Sequence, residues 1–357
     1  MAYTEIDDPS LYFRVVKWSG NSSTQSITFD ETHANMQPDW VWIKSRSQNA
    51  NHHTFDSVRG ATKDLIINST DGETTDTAKL TSFDSNGFSV GNNGNVNNSS
   101  ETFVAWCWKG GTTSGISGSA DITPNAYSFS QTAGFSVLTY NGTDVSGNTV
   151  LHGLGAVPHW MIVKRRVSNG YDWVVYHKDD VGGHYLNNTT TNNDSSNVNI
   201  WFNGNTPTST QFHIGTDGRI GDNVSTGAYV AYMFAPKKGF SSFGIYQGNG
   251  NADGTFCPLT FKPSFLMVKP TSTNDNWVMF DNKRDNQFNG AQAPDFVYAN
   301  KSFSENNNDP AIIDFLSNGF KMRNSGGTSN RDGETFIFMA FAESPFVNSN
   351  GVPTNAR

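Results

Sequence analysis

One seven-residue pattern appears three times in the chain: Pro38-Asp39-Trp40-Val41-Trp42-Ile43-Lys44, Pro158-His159-Trp160-Met161-Ile162-Val163-Lys164 and Pro263-Ser264-Phe265-Leu266-Met267-Val268-Lys269. Each copy opens on proline, carries an aromatic two residues later and closes on lysine six residues after the proline. Self-similarity at this spacing means one supersecondary unit used three times. A chain of 357 residues exceeds one comfortable core, and three units of about 100 to 120 residues match the usual domain size.

Both parities of the pattern are apolar. Trp40 and Trp42 fall on one side of an extended chain, Val41 and Ile43 on the other. A strand apolar on both faces is central and covered by two layers. Proline, lacking an N–H, is tolerated at its first residue. The closing lysine is expected to lay its stem along the core edge and put its charge in water.

Other segments recur around this strand. Tyr12 to Trp18, Phe135 to Tyr140 and Phe240 to Tyr246 are aromatic and β-branched runs ending at Gly/Asn turns. His53 to Asp56, Asp172 to His177 and Asn276 to Asp281 follow the lysine. Asn86-Gly87 and Asn318-Gly319, between apolar runs, are hairpin signals. The middle copy, Gln211 to Gly218, diverges there. Each unit closes on its most aromatic strand, Thr102 to Trp108, Ala228 to Phe234 and Thr335 to Phe341. Only Lys63 to Asn68 and Pro310 to Leu316 suggest short helical turns. The expected fold is all-β, three antiparallel β-sandwiches in tandem. Its parts are an arm at 1–11, sandwiches at 12–110, 134–236 and 237–346, a flexible Gly-rich linker at 111–133 and a loose tail at 347–357.

Composition narrows the function. Charged residues are only 16% of the chain, but 26 Phe and 9 Trp supply enough apolar area for cores. The net charge of −8, with no Lys/Arg run, disfavours nucleic acid. No apolar run of about 18 residues offers a membrane span. The start, Met1 to Pro9, has no signal-peptide pattern, so synthesis in a cytoplasm is expected. Cys107 and Cys257 hold non-equivalent positions and read as two buried free thiols.

Taken together, "GFSVLTYNG", "LHGLGAVPHWMIVKR", "DWVVYHKD", "FDSNGFSVG" and "ETFVAWCWKGG" resemble repeat domains of tail-fibre and other virion-surface proteins of marine tailed bacteriophages. The opening "MAYTEIDDPSLYF" is similar to the start of such proteins, and the resemblance spans roughly residues 1–346. It implies concanavalin-A-like or SPRY-like (jelly-roll) sandwiches and a structural role, and it carries no catalytic residue over. The chain lacks the collagen-like or heptad stretch of a long fibre shaft.

The residue types bear on four kinds of site. Asp56 and Asp281 match in position, but His177 stands there in the middle copy, which argues against a glycosidase carboxylate pair. The eight histidines show no zinc spacing, and His52 and His53 point to opposite faces if extended. Thr70 to Glu73 and Asn251 to Gly254 offer oxygen ligands but lack the full calcium-loop spacing. No Gly-x-Ser-x-Gly elbow or phosphate-binding loop occurs. Glycan stacking fits best, with Tyr185 (beside His184 and Asn187) and Trp201 (beside Asn199 and Asn203) as candidates. Trp40, Trp106, Trp160, Tyr232 and Phe341 read as core.

The expectation is a non-enzymatic virion protein without cofactor or metal. It would be a tail fibre or exposed appendage aiding host attachment, docked through the acidic arm. Capsid decoration that stabilises the shell is the alternative, and a polysaccharide-degrading enzyme is the second. Expected partners are other virion proteins, host surface glycan and further copies of the chain, a trimer if it is a fibre. Its place would be the virion surface.

Overall fold

A computed structural model of the chain describes residues 3–30, 32–186, 200–201, 205–224, 227–284, 295–305 and 313–354. The fold is all-β, with antiparallel sheets throughout. Three consecutive blocks each contribute one large and one small sheet.

In the first block the large sheet runs Phe13–Ser19, Thr102–Trp108, Trp40–Ser45, His53–Asp56, Lys63–Ile66, Thr74–Thr75. Its small sheet is Gln25–Thr28, Gly87–Val90, Leu80–Asp84. The second large sheet is Ala126–Ser130, Phe135–Asn141, Ala228–Phe234, Trp160–Arg165, Val174–His177, Asp180–Tyr185, beside the pair Thr149–Leu151 and Gln211–His213. The third is Ser241–Gln247, Thr335–Pro345, Phe261–Pro270, Val278–Asp281, Phe296–Tyr298, with the small sheet Phe256–Pro258, Gly319–Met322, Ile313–Leu316. In every block the strand of the proline pattern lies beside the closing aromatic strand. Trp40 faces Trp108, Trp160 faces Phe234 and Phe265 faces Phe341.

The double-sided apolar pattern has a specific outcome. Val41, Ile43, Phe103, Ala105 and Cys107 face the small sheet of their own block, packing with Ile27, Leu80 and Phe88. Met161, Val163, Tyr229 and Met233 do the same with Val150 and Phe212. The opposite parity goes elsewhere. Trp40, Trp42, Trp106, Trp108, Trp160, Tyr232, Phe234, Phe265 and Phe341 join one cluster fed by all three blocks. Trp40 stacks on Trp108 and on Tyr232, each with centroids 4.3 Å apart. Phe341 reaches Trp108 at 5.7 Å and Phe234 at 5.6 Å. The large sheets therefore back onto a common core instead of standing apart in a row. Each large apolar side chain buried there contributes about 2 to 3 kcal/mol on area alone, so the shared core dominates the polar ties between blocks.

Several local expectations are corrected. Lys63–Ile66 and Ile313–Leu316 are strands, because both alternate into sheets already partnered by neighbours. Short α-helices occur instead at Gly94–Asn97 and Gly327–Asn330. The hairpins turn at Ser85-Asn86 and Ser317-Asn318, one residue before the expected dipeptides. Gly87 and Gly319 sit at positive φ (123° and 153°), where a Cβ would strike the Ile27 and Cys257 carbonyl oxygens of the adjoining strand.

The region 111–133 is not a free linker, since Ala126–Ser130 is an added strand on the edge of the second large sheet. The arm docks on its own chain: Glu5 N donates to Lys238 O at 3.0 Å, Ile6 is buried, and Asp7 accepts from Ser349 N at 2.7 Å. The segments leading in and out of the fold are therefore hydrogen-bonded to each other.

Candidate functional site

The repeated lysines are buried. Lys44, Lys164 and Lys269 are 0% exposed. Lys44 Nζ donates to Ser45 O at 2.6 Å and Gln48 O at 3.2 Å. Lys164 Nζ donates to Tyr171 O at 2.5 Å, and Lys269 Nζ to Pro270 O at 2.5 Å and Thr273 O at 2.7 Å. The expected charge in water is thus overturned: the loop after each strand folds back and offers carbonyls to the ammonium. Burial drives these amines down to about 7, 7 and 8 respectively. Such amines are a known route to catalytic chemistry, but three copies caged by backbone oxygens do the same structural job three times.

The matched aspartates lie at block boundaries. Arg59 Nε donates to Asp56 Oδ2 at 2.5 Å, and Tyr232 of the second block donates its hydroxyl to the same oxygen at 2.6 Å. Arg284 Nε donates to Asp281 Oδ2 at 2.5 Å, and Trp106 of the first block adds its indole N–H at 3.0 Å. By strand register, Met339 holds the place of Trp106 and Tyr232. It has no proton to donate, and the second block has His177 where the others have aspartate. Burial lowers His177 to about 4, so it is neutral, and its Nε2 has no partner among the described residues. Carboxylates therefore stand where a neighbouring block supplies a donor, which assigns them to assembly of the fold.

A second set of ties runs round the same boundaries. Trp173 Nε1 donates to Ile66 O of the first block at 2.9 Å, and Trp277 Nε1 to Tyr185 O of the second at 3.0 Å. His52, in the matching position of the first block, lies against the Tyr298 and Lys301 backbone of the third. Glu73 holds Arg166 across the first boundary at 2.9 Å, and Glu305 holds Arg46 across the last at 2.5 Å.

The glycan candidates are corrected. Tyr185 and Trp201 are buried, 6% and 3% exposed. Arg219 covers the Tyr185 ring at 5.1 Å, and Trp201 meets Tyr176 edge-on at 5.5 Å. Neither ring offers a face to a sugar, because both fill the core of the second block. Their expected neighbours Asn187, Asn199 and Asn203 lie outside the described residues. In the candidate calcium loops, Glu73 is engaged by Arg59 and Arg166, and Asp253 by Lys321 at 2.8 Å. No group of three or more His, Cys, Asp or Glu suited to a metal occurs among the described residues. No described helix is long and apolar enough to cross a membrane. Cys107 and Cys257 are buried and free, and desolvation raises both thiols, Cys257 to about 12.

A cleft of about 580 Å³ lies between the first and third blocks. One wall is the strand from Phe13 to Lys17 with Phe29, Asp30 and His33; the other carries Lys262, Ser264, Asn282, Lys283 and Glu343. Basic groups outnumber acidic ones there, although the whole chain is acidic. Arg14 is not free to bind: its guanidinium donates to the carbonyls of Ser10 (2.7 Å), Asp30 (3.1 Å) and Ala34 (2.5 Å). Lys262 pairs with Glu343 at 2.7 Å. Lys17 and Lys283 are exposed and have no ion pair among the described residues. Sequence reading missed this cleft because its two walls, up to His33 and from Lys262 onward, are far apart in the chain.

The architecture defines an all-β protein whose sheets fuse on an internal aromatic core, with a cationic cleft at one seam. Residues 8–345 match DUF7483, a domain of unknown function, and the chain belongs to that family. No curated protein matches the chain.

Proposed function

We propose that the chain is a structural protein of a tailed-bacteriophage virion, a tail fibre or other exposed appendage that contributes to host-surface attachment. Its fold is read as three tandem β-sandwiches of jelly-roll or concanavalin-A-like kind, supported by the matched strand order of the large sheets. The function rests on the strand and turn motifs shared with phage virion-surface domains. The observation that carries it is the use of the repeated polar residues: the buried lysines are caged by carbonyls of their own loops, and the aspartates of the Asp–Arg pairs take donors from a neighbouring block, so both are spent on the fold. A rigid, non-enzymatic scaffold with polar loops suits a particle surface, where other virion proteins and host glycan are the partners.

Capsid decoration is the second reading. It is favoured by the common core, which makes the chain a compact body. Labelling intact particles with antibody against the purified protein, followed by electron microscopy, distinguishes the two. Tail label with host-cell binding that host surface sugar competes away supports the attachment reading. Label on the shell, with retained affinity for empty capsids, replaces it with decoration. Oligosaccharide released from host envelope by the purified protein overturns the non-enzymatic assignment.

A further inference from the structure

The seam between the first and third blocks has an open strand edge. Among the described residues, Phe13–Ser19 is the outer strand of its sheet and pairs only with Thr102–Trp108. Lys109 N donates to Tyr12 O, and Gly20 N to Glu101 O, both at 3.0 Å. Even-numbered residues of this strand therefore turn their backbone groups inward, and Phe13, Val15 and Lys17 turn theirs toward the cleft.

The second block shows what such an edge accepts. Phe135–Asn141 corresponds to Phe13–Ser19, since Phe135 faces Phe234 as Phe13 faces Trp108. There the edge is covered by Ala126–Ser130, with Ala126 opposite Thr139 and Ser128 opposite Val137. That added strand also ties to the chain just as it leaves the first block. Ser128 Oγ accepts from Gly111 N at 2.8 Å, and Phe129 exchanges two backbone hydrogen bonds with Thr112. The far wall of the cleft is the counterpart of this seam. Ser264 follows its pattern proline as Asp39 does, and Glu343 lies two residues beyond Phe341 as Gly110 lies two beyond Trp108. The cleft is thus the position that Ala126–Ser130 fills one seam earlier.

We propose that this cleft accepts an extended peptide strand with acidic side chains, supplied by a partner protein and added to the Phe13–Ser19 edge. Backbone pairing would come from Phe13, Val15 and Lys17, as in other strand additions. Charge selects the acidic occupant: Lys17 and Lys283 are exposed without ion pairs among the described residues, and Lys262 stands at the rim. Asn282 adds a buried Oδ1 that accepts no hydrogen bond among the described residues. The register is specified too. The occupant residue matching Ala126 falls opposite Lys17, where a carboxylate would meet the ammonium. The third edge, Ser241–Gln247, differs because the chain enters it through a tight turn in which Lys237 and Ser241 pair.

The test uses the full chain and a fluorescent synthetic peptide copying residues 124–132 with Ala126→Glu. Anisotropy should show this peptide binding at least about tenfold more tightly than the Ala126→Lys peptide at low salt, the gap narrowing in 0.5 M salt (about a 4 Å screening length). N-methylation of the peptide at the positions of Ser128 and Ser130 should abolish binding. In the chain, Lys17→Glu should reverse the charge preference, and Val15→Pro, which removes one outward N–H from an edge strand, should weaken binding at least about tenfold. Lys17 is exposed, so the reversal can be read even if Val15→Pro does not fold. No binding by any peptide overturns the proposal. Undiminished binding of the N-methylated peptide also overturns it and leaves an anion site. Binding indifferent to Lys17→Glu places the peptide elsewhere and overturns it as well.

Discussion

Replacing Lys164 by methionine should change how stability depends on pH. Burial holds Lys164 at about 7 in the folded chain, whereas an unfolded lysine titrates near about 10.4. Below about pH 7 both states carry the proton. Above it the unfolded chain binds more protons, so stability climbs with pH until the unfolded lysine also titrates. Between pH 7 and 8.5 this linkage amounts to about 1.6 kcal/mol for Lys164, and to about 0.8 kcal/mol for Lys269 with its higher folded value. Unfolded cysteine (about 8.5) and the α-amino group also titrate in this window, but equally in variant and parent, so the difference between the two proteins isolates Lys164. Lys164→Met removes one of the three contributions. It also strands the Tyr171 carbonyl and loses the Trp173 ring contact at 5.9 Å, so the variant should be less stable at pH 8.5. Urea unfolding followed by fluorescence of the buried tryptophans reads both quantities. The expected result is a rise from pH 7 to 8.5 that is smaller in the variant by about 1.6 kcal/mol. An equal rise in both proteins would refute a buried amine that sheds its proton on folding.

Three further outcomes follow from the seams and thiols. Arg284→Leu leaves the Asp281 carboxylate buried without its guanidinium and should cost about 3 to 5 kcal/mol in urea unfolding. Tyr232→Phe removes one hydrogen bond to a carboxylate that Arg59 still holds, so the loss should be smaller, about 1.5 to 3 kcal/mol. Neither Cys107 nor Cys257 should react with an aromatic disulfide reagent in the native protein, and both should react once urea unfolds it, as absorbance of the released thiolate would record.

The strands were legible because their signals are local. Proline at a strand start, alternation within Trp40 to Lys44 and the turns before Gly87 and Gly319 depend only on neighbouring residues. What covered each face was not legible. Val41 and Trp42 are equally apolar, yet one packs with its own small sheet and the other joins the cluster that all three blocks share. Lys44 reads as a snorkelling side chain because the carbonyls that cage it come from an irregular loop with no sequence signature. Tyr185 and Trp201 looked like sugar platforms because polar neighbours in sequence said nothing about what packs on the rings. The cleft was invisible for a further reason: it exists only where Phe13–Ser19 and the Lys262 to Lys283 region are brought together.

The ties at the three seams are not interchangeable. Tyr232 meets an aspartate and so does Trp106, whereas Met339 corresponds to a block boundary where the aspartate is replaced by a neutral His177. A block moved to another place in the order would bring a donor to a histidine or a methionine to a buried carboxylate. Each seam therefore acts as a key cut for one neighbour. Substitutions at these positions are constrained in pairs that span two blocks, and the copies can diverge only in step with one another.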